Sequence, residues 1–424
     1  MKILLKIASM SLLVLIFMSL FVPTTYVQIK SVFIAVAFGA IFIWALNSKV
    51  KWSNETIIAV VLVSLIGLAN SLHGQISSNP GAFRVLTVMA AWPVMYGVFG
   101  VLLNQPYALK YLDKVFVLSL VMVVLYSFLY LGNMAGLVPD WAYFELDMGQ
   151  IIGFHDGYIE YNLYSISSLL FLMPFFLHRF YILYRAKQIR FNWWLVLMAG
   201  FLLSLLTGRR AVQMVIVLVP GIIFIVNMII VPRASFILKL KPQLSFRLIL
   251  LVCFILIIFI YVTLQMDINF DVVWNEFWDG FKFSDTSSSA SERTGQLNSL
   301  MQAWSNGNIL FGSGNGAATD YVRSYDMPWA YELTYVYLLF STGIVGVILY
   351  FSWFSWGLLR IKRAIAQRPD MAKYVAPMIT GVFGVLIGAA SNPYFGKFDY
   401  LWIIMMPHLL AGSIQYQQME NGNI

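Results

Sequence analysis

The residues with the most chemical potential lie in the polar segment 284–346, which interrupts an otherwise apolar sequence. Ser289 and Glu292 have the spacing of a capping box, which predicts the start of a short helix. Arg293 shares one face of that helix with the apolar residues that follow, namely Leu297, Leu300, Met301 and Trp304. A guanidinium on such a face requires an anion, because an unpaired buried charge is costly. We predict that Arg293 binds an anionic ligand, pairs with a loop aspartate or extends to the membrane rim.

Two further arginines, Arg209 and Arg210, stand in a Thr-Gly-Arg-Arg turn between two apolar segments. They would be unfavourable beside lipid unless they met an anion, either a bound ligand or a lipid phosphate. Gln213 lies one turn after Arg210 and could add a hydrogen-bond donor. Glu332 and Tyr335 share another helix face at the start of a later apolar segment.

An acidic segment, residues 133–160, contains no Lys or Arg and five carboxylates: Asp140, Glu145, Asp147, Asp156 and Glu160. A ladder of tyrosines, Tyr158, Tyr161 and Tyr164, overlaps its end. The tyrosine rings could stack on sugars or form an interfacial aromatic belt.

Membrane helices must position these side chains. Hydrophobic residues make up 60% of the 424 residues, charged residues 11%, and the mean hydropathy is +0.78, which excludes a soluble domain of this length. The net charge of +8 sits in short loops, so it indicates membrane topology and not nucleic-acid binding. Cys253 is the only cysteine, and the four histidines lack metal-ligand spacing. The sequence therefore predicts neither a metal nor another cofactor.

Twelve apolar segments have the length of a membrane span. They predict an all-α polytopic membrane protein, with nine helices in residues 1–264, a large outer loop at 265–331 and three helices in 332–424. The predicted spans are 4–22, 31–47, 56–72, 85–103, 115–132, 161–178, 192–208, 211–231, 248–264, 332–359, 374–391 and 400–416. Residues 270–282 predict an amphipathic helix lying on the membrane. The spacing of Gly381, Gly384 and Gly388 predicts a close contact between helices.

The charge distribution predicts the orientation. With the N-terminus inside, 19 of the 27 Lys and Arg residues lie in inner loops and 8 in outer loops, so both termini are predicted to be cytoplasmic. All but four of the 19 carboxylates lie on the outer side. Because acidic residues hardly affect orientation, we predict that the outer face carries the functional site.

The order of motifs between residues 207 and 346 resembles the O-antigen polymerase and ligase superfamily. These are bacterial inner-membrane enzymes that move glycans off an undecaprenyl-pyrophosphate carrier. The resemblance rests on TGRR at the end of one span, SERTGQ and ILFGSGNG in the outer loop, and TGIVG in the next span. In the ligase branch a His-Asn pair commonly stands shortly before the last element. This chain has Glu332 and Leu333 there, which favours the polymerase branch.

The resemblance implies a fold that is GT-C-like in the broad sense, with a periplasmic active site. It implies that Arg293, Arg210 and Arg209 clamp the pyrophosphate, and that Glu332 or Glu160 takes the proton from an acceptor hydroxyl. Further expected substrate contacts are Gln213, Arg323, Tyr335 and Tyr164. Expected partners are the undecaprenyl-pyrophosphate-linked glycan donor and acceptor, the lipid bilayer and a chain-length regulator protein.

Two other functions remain open, an O-antigen ligase that passes the glycan to lipid A core and a polysaccharide flippase or other transporter. Transporters typically carry charged residues or broken helices at mid-span and internal repeats. The ionisable residues of this chain crowd one rim, and no repeat is evident. Glu332 also has a second interpretation, as a residue that merely caps the tenth predicted span.

Overall fold

The structure is a computed structural model that describes residues 2–47, 52–105, 107–146, 151–155, 158–207, 209–231, 288–322 and 324–420. Helices dominate these ranges, and they are numbered here in chain order. The first nine are α1 (Lys2–Phe21), α2 (Val27–Asn47), α3 (Asn54–Ile76), α4 (Ala82–Leu86), α5 (Trp92–Gly100), α6 (Ala108–Met134), α7 (Leu169–Arg185), α8 (Phe191–Leu206) and α9 (Arg210–Ile230). The other four are α10 (Ser288–Asn306), α11 (Thr334–Gln367), α12 (Ala372–Gly388) and α13 (Phe398–Glu420).

Nine helical segments in the described part of the chain are long and apolar enough to cross a membrane. They coincide with nine of the twelve predicted spans, so the chain is a multi-pass membrane protein. The seventh and twelfth predicted spans are also helical, as the 16-residue α8 and as α13. The ninth predicted span, 248–264, and the amphipathic segment 270–282 lie outside the described residues. The total of twelve spans therefore stays a prediction.

One short β-hairpin departs from the predicted all-helical fold. Strands β1 (Ile151–His155) and β2 (Tyr158–Asn162) pair antiparallel, with Gly153 opposite Glu160. Tyr161 thus belongs to a strand and not to the start of the sixth span, and Tyr158 begins the same strand. Aromatic and β-branched residues are common in β2, which is typical of strands and explains the hairpin in hindsight.

The predicted glycine contact is confirmed between α12 and α7. A Cβ on Gly384 would lie 2.2 Å from the Leu170 carbonyl oxygen, and one on Gly388 would lie 2.6 Å from the Leu170 side chain. A Cβ on Gly381 would meet the Phe171 ring at 2.7 Å. Because these three glycines have no side chains, the backbones of α12 and α7 approach closely.

Polar contacts between distant segments collect at the two ends of the helical bundle. One end, called the site face below, contains Lys30–Asp399 at 2.7 Å and Thr334–Asn392 at 3.0 Å. The opposite face contains Arg360–Glu55 at 2.7 Å and Arg179–Asp113 at 3.1 Å. The predicted alternation of spans puts both members of each pair on the same side of the membrane. The packing of the described helices is therefore consistent with that alternation.

Candidate active site

Helix α10 places Arg293 against the residues that precede α11. Gln296 and Leu300 form the centre of its buried face, whereas Leu297 and Met301 are 40% and 36% exposed. The predicted apolar stripe is thus confirmed at Leu300 and wrong at Leu297 and Met301. The reason lies in the tertiary packing. Helix α10 contacts a loop and the start of α11, and this contact accommodates a glutamine.

A small core separate from the main one fixes α10 in place. It consists of Leu300, Ala317, Tyr331 and Phe340, which come from α10, the loop after it and α11. Trp304 packs at its edge and donates from Nε1 to the Ile309 carbonyl oxygen at 3.2 Å. Burial of these side chains therefore ties the polar segment to the beginning of α11.

Arg293 and Glu332 form an ion pair. Arg293 Nε donates to Glu332 Oε2 at 2.9 Å, and the two side chains are 34% and 9% exposed. The Glu332 backbone N–H donates to Gln296 Oε1, also at 2.9 Å. Among the residues that the structure describes, the anionic partner of Arg293 is thus Glu332, a carboxylate of the same chain. Helix α11 begins after this point, with Leu333 at its N-cap.

Helix α11 is broken at Gly343, where φ is 64° and ψ is −174°. Residues 309–316, called the glycine loop below, insert into the break. The amides of Ile344 and Val345 donate to the carbonyl oxygens of Ile309 and Leu310, both at 3.1 Å. In return, the amides of Ser313 and Gly314 donate to the carbonyl oxygens of Phe340 and Ser341 at 3.0 and 2.8 Å. The loop thereby satisfies backbone groups that the break would otherwise leave unpaired in an apolar environment.

Glycine is required on both sides of this contact. Gly343 has a positive φ, and a Cβ there would lie 2.3 Å from the Leu310 carbonyl oxygen. Gly312 has φ of +69°, and its Cβ would lie 2.6 Å from the amide nitrogen of Gly343. The FGSGNG and TGIVG motifs are therefore two halves of one backbone contact, which spacing along the sequence did not show.

Two asparagines that the sequence analysis missed anchor the glycine loop to α3. Asn315 is 3% exposed, and its amide donates to Ser71 Oγ at 3.0 Å. Asn79 Nδ2 lies within hydrogen-bond distance of the carbonyl oxygens of Ser313, Gly314 and Asn315, at 2.8 to 3.2 Å. The GNG sequence indicated a turn, but the two partner segments are more than 200 residues apart.

Arg209 occupies the N-cap position of α9. Its side chain extends to the start of the sixth predicted span. Its Nη1 donates to Ser167 Oγ at 2.5 Å, and its backbone N–H donates to Thr207 Oγ1 at 3.3 Å. The neighbouring Ser168 shares a hydrogen bond of 3.2 Å with the buried Tyr400 hydroxyl. Arg210 is the first residue of α9 and is partly exposed. The structure thus places both arginines at the site face.

Gln213 makes a structural contact within the protein. It is 8% exposed, and its Nε2 donates to the Leu205 carbonyl oxygen at 3.2 Å. This bond closes the turn between α8 and α9 by satisfying a carbonyl at the end of α8. The tight turn brings the end of α8 within reach of the amide, whose NH₂ group has a second N–H, so the expected role of Gln213 as a donor beside Arg210 stays a prediction.

Tyr335 also has a partner within the protein. Its hydroxyl donates to the Leu386 carbonyl oxygen near the end of α12, while Thr334 Oγ1 donates to the Asn392 carbonyl oxygen at 3.0 Å. These two bonds fasten the start of α11 to the end of α12. Tyr164 opens a short 3₁₀ turn before α7 and is 40% exposed, so its ring is accessible.

Two of the predicted site residues have no described side chain. Glu160 lies on β2, where only the backbone is described, and Arg323 lies outside the described residues. Their expected roles stay predictions.

The described site residues form one connected region of the site face. Arg209 contacts Ser167, and the adjacent Ser168 contacts Tyr400, whose ring packs edge-on against Tyr394 at 5.4 Å. Tyr394 follows the segment that accepts the Thr334 hydrogen bond, and Thr334 is two residues after Glu332. The structure thus joins the region around Arg209 to the Arg293–Glu332 pair through the connection between α12 and α13.

The geometry of the ion pair suits acid–base and anion chemistry together. Among the described contacts Arg293 uses one of its five N–H donors, and a third of its side chain is exposed, so other donors can meet an anion. Glu332 offers a carboxylate within a few ångströms of that position. A carboxylate next to a guanidinium can accept a proton while the guanidinium stabilises negative charge on a departing group.

Comparison with known proteins adds no assignment, since no family model matches the chain and no curated protein matches its sequence.

Proposed function

We propose that the protein is a membrane glycosyltransferase that polymerises undecaprenyl-pyrophosphate-linked oligosaccharide repeat units at the periplasmic face of the bacterial inner membrane. The observation that carries the proposal is the Arg293–Glu332 pair at 2.9 Å, because it places a candidate base beside a candidate phosphate ligand. The excess of basic residues in the predicted inner loops, 19 of 27, supports a periplasmic site face. The motif order that resembles the O-antigen polymerases supplies the substrate class.

The reaction exchanges one C–O bond for another. The hydroxyl oxygen of the acceptor sugar attacks the anomeric carbon of the growing chain, and the bond from that carbon to the carrier pyrophosphate breaks. Glu332 accepts the hydroxyl proton, and the pyrophosphate leaves with the electron pair. Negative charge grows on the phosphate oxygens in the transition state. A guanidinium stabilises that charge with paired donors and stays protonated when desolvated, so Arg293 lowers the barrier without a metal.

Arg209 and Arg210 are assigned to the carrier side of the site. Arg209 is oriented by Ser167 and lies at the N-terminus of α9, where the backbone N–H groups of the first turn also favour an anion. We assign the donor pyrophosphate to the region between these arginines and Arg293. Tyr164, exposed on the same face, is assigned to the sugar.

The broken α11 is the one observation that favours a second candidate, a transporter. Discontinuous helices commonly bind ions through backbone groups at the break. Here the carbonyl oxygens of Phe340 and Ser341 and the amides of Ile344 and Val345 are already bonded to the glycine loop. The break in α11 thus accommodates the glycine loop, and the loop occupies these backbone groups. This favours the enzyme over the transporter.

An elongation assay tests the proposal. Purified protein is mixed with lipid-linked repeat units, and the length of the polymer is followed on a gel. The Glu332→Gln variant keeps the side-chain shape but cannot take up a proton, so elongation should fall by roughly 100- to 10,000-fold. The exposed Glu292, on the same segment, provides a matched control as Glu292→Gln. Near-normal polymer from Glu332→Gln would exclude this residue as the base.

A deletion strain separates the related functions. Loss of a polymerase leaves a single repeat on the lipopolysaccharide core, whereas loss of a ligase or flippase leaves the core bare. A bare core in the strain that lacks this gene would contradict the proposal.

A further inference from the structure

Gln296 of α10 has a polar side chain that is fully buried beside the ion pair. The side chain is 0% exposed, and its Oε1 accepts the hydrogen bond from the Glu332 backbone amide at 2.9 Å. Its Nε2 is buried and has no hydrogen-bond partner among the residues that the structure describes. A buried amide with one atom satisfied and the other unsatisfied requires an explanation.

The orientation of the Gln296 amide follows from its neighbour. The two amide atoms of glutamine are hard to distinguish by shape, so the hydrogen-bond network decides between them. The Glu332 backbone N–H is a donor, and it must face the amide oxygen. The NH₂ group is therefore the atom left without a partner, and it lies next to Glu332 because it shares a carbon with that oxygen.

An unsatisfied NH₂ group in the interior is unfavourable, and a bound acceptor or an ordered water can offset that cost. The location distinguishes Gln296 from the buried serines of the bundle. Exposure rises from 0% at Gln296 to 7% at Glu332 and to 34% for the Arg293 side chain, so Gln296 is the innermost of the three residues and adjoins Glu332.

We propose that Gln296 is a positioning residue whose Nε2 donates to the acceptor sugar hydroxyl that Glu332 deprotonates. The inference rests on the proposed function and extends it to the recognition of the acceptor. A hydroxyl is both donor and acceptor, so it can donate to the carboxylate while it accepts from the amide. A phosphate oxygen could accept from Gln296, but the adjacent Glu332 carboxylate would repel it. The Gln296 amide and the Glu332 carboxylate together therefore select a neutral hydroxyl. They also orient a free lone pair of the hydroxyl oxygen away from Glu332.

The Gln296→Glu variant tests this role through pH. A protonated glutamic acid keeps the acceptor for the Glu332 amide and supplies an O–H donor in place of the NH₂ group. Once ionised, it has acceptors only and repels Glu332. Binding of the acceptor should thus be close to wild type at acidic pH and weaken by about 10-fold or more as the pH rises, the loss expected for one hydrogen bond and an added charge. Wild type should lack this alkaline loss.

The experiment uses the full-length protein in nanodiscs and lipid-linked repeat units extracted from the deletion strain. Thermal unfolding with and without these units reports binding across the pH series, and polymer length reports elongation. Gln302→Glu is the matched control, since Gln302 is exposed on the same helix and the charge change is identical. Gln296→Met, which removes both polar atoms, should weaken binding by a similar factor at every pH.

The outcomes are distinct. An alkaline loss of binding in Gln296→Glu, with normal binding in Gln302→Glu, supports the inference. Unchanged binding in Gln296→Glu at all pH values overturns it, and so does an equal loss at all pH values accompanied by a lower melting temperature without ligand, which marks a purely structural residue. Absence of any ligand-induced stabilisation in wild type also overturns it. If wild type is stabilised and shows the pH effect but forms no polymer, the subsite stands and the polymerase proposal fails.

Discussion

Arg293 and Glu332 could serve chemistry or could simply fasten α10 to α11. At the scale of residues these roles differ in what they require of the side chains. To fasten the two helices, the pair needs only two opposite charges in contact. For catalysis, the carboxylate must stand at position 332 and the guanidinium at position 293. Single replacements alone do not separate the two roles, because removal of one partner leaves the other charge unpaired and is itself destabilising.

We predict that Arg293→Lys loses most of the proposed elongation activity. Lysine can pair with Glu332 but offers a point charge in place of the guanidinium fork, so it binds a pyrophosphate less well in the transition state. The expected loss of elongation is roughly 100- to 1,000-fold, measured as polymer formed per unit time at matched protein levels. Normal polymer from this variant would exclude a phosphate role for Arg293.

The charge-swapped double variant, Arg293→Glu with Glu332→Arg, gives a second prediction at this scale. It restores an ion pair at the same place, so its melting temperature should recover toward wild type from that of the single variants. Elongation should not recover, because the base and the phosphate ligand have exchanged positions. Recovery of both would show that the pair only joins the two helices.

At the scale of elements, the break in α11 and the glycine loop depend on each other. We predict that Gly343→Ala lowers the melting temperature and removes elongation. Its φ and ψ fall in a region that is essentially restricted to glycine, and the added Cβ would lie 2.3 Å from the Leu310 carbonyl oxygen. Strain of this kind costs about 1–3 kcal/mol before any displacement of the loop.

Gly39→Ala is the matched control for that variant. Gly39 lies in the middle of α2, and a Cβ there meets nothing within 4 Å. Alanine favours a helix interior over glycine, so melting temperature and activity should stay at or above wild type. A stable, active Gly343→Ala protein would mean that the site does not need the glycine loop to insert into the break of α11.

At the scale of the whole molecule, a buried arginine holds the opposite face together. Arg360 is 0% exposed, and its Nε donates to Glu55 Oε2 at 2.7 Å. Its two Nη groups contact Ser53, Thr56, His408 and Gln415 at 3.0 to 3.5 Å. These partners belong to the beginning of α3, its preceding turn and α13, so a single side chain connects three helices.

We predict that Arg360→Met destabilises the protein more than any surface replacement on α11. Loss of the guanidinium removes the donor to buried acceptors such as Thr56 and Ser53, which costs about 1–3 kcal/mol for a group left unsatisfied, and it removes the ion-pair partner of Glu55, whose side chain is 43% exposed. Thermal unfolding should show a lower midpoint, with Arg363→Met as control because Arg363 is exposed three residues later. Equal midpoints for the two variants would contradict the structural role of Arg360.

The topology of the whole chain is a further prediction, based on the distribution of Lys and Arg. Reporter fusions after Lys187, Lys241 and Arg363 should report cytoplasm, and a fusion after Ser305 should report periplasm. A cytoplasmic signal at Ser305 would invert the orientation and move the site face to the cytoplasm.

The sequence by itself determined the class of protein and the positions of its helices. A membrane span must satisfy its backbone internally and match the thickness of the bilayer, so each described span could be located from hydropathy alone. Local rules also identified the α10 start and the glycines of α12. Arg293 and Arg209 could be singled out because a charge in an apolar context is rare and needs a partner.

Only the tertiary structure decided which groups meet. The partner of Arg293 is 39 residues away, the partners of Asn79 and Asn315 are more than 200 away, and the partners of Arg360 come from both ends of the chain. No periodicity encodes such pairs, because they depend on how helices pack. The same cause explains why Gln213 and Tyr335 bond to backbone carbonyls, why Gln296 is buried beside Glu332, and why a predicted continuous span is broken at Gly343 to accept a loop.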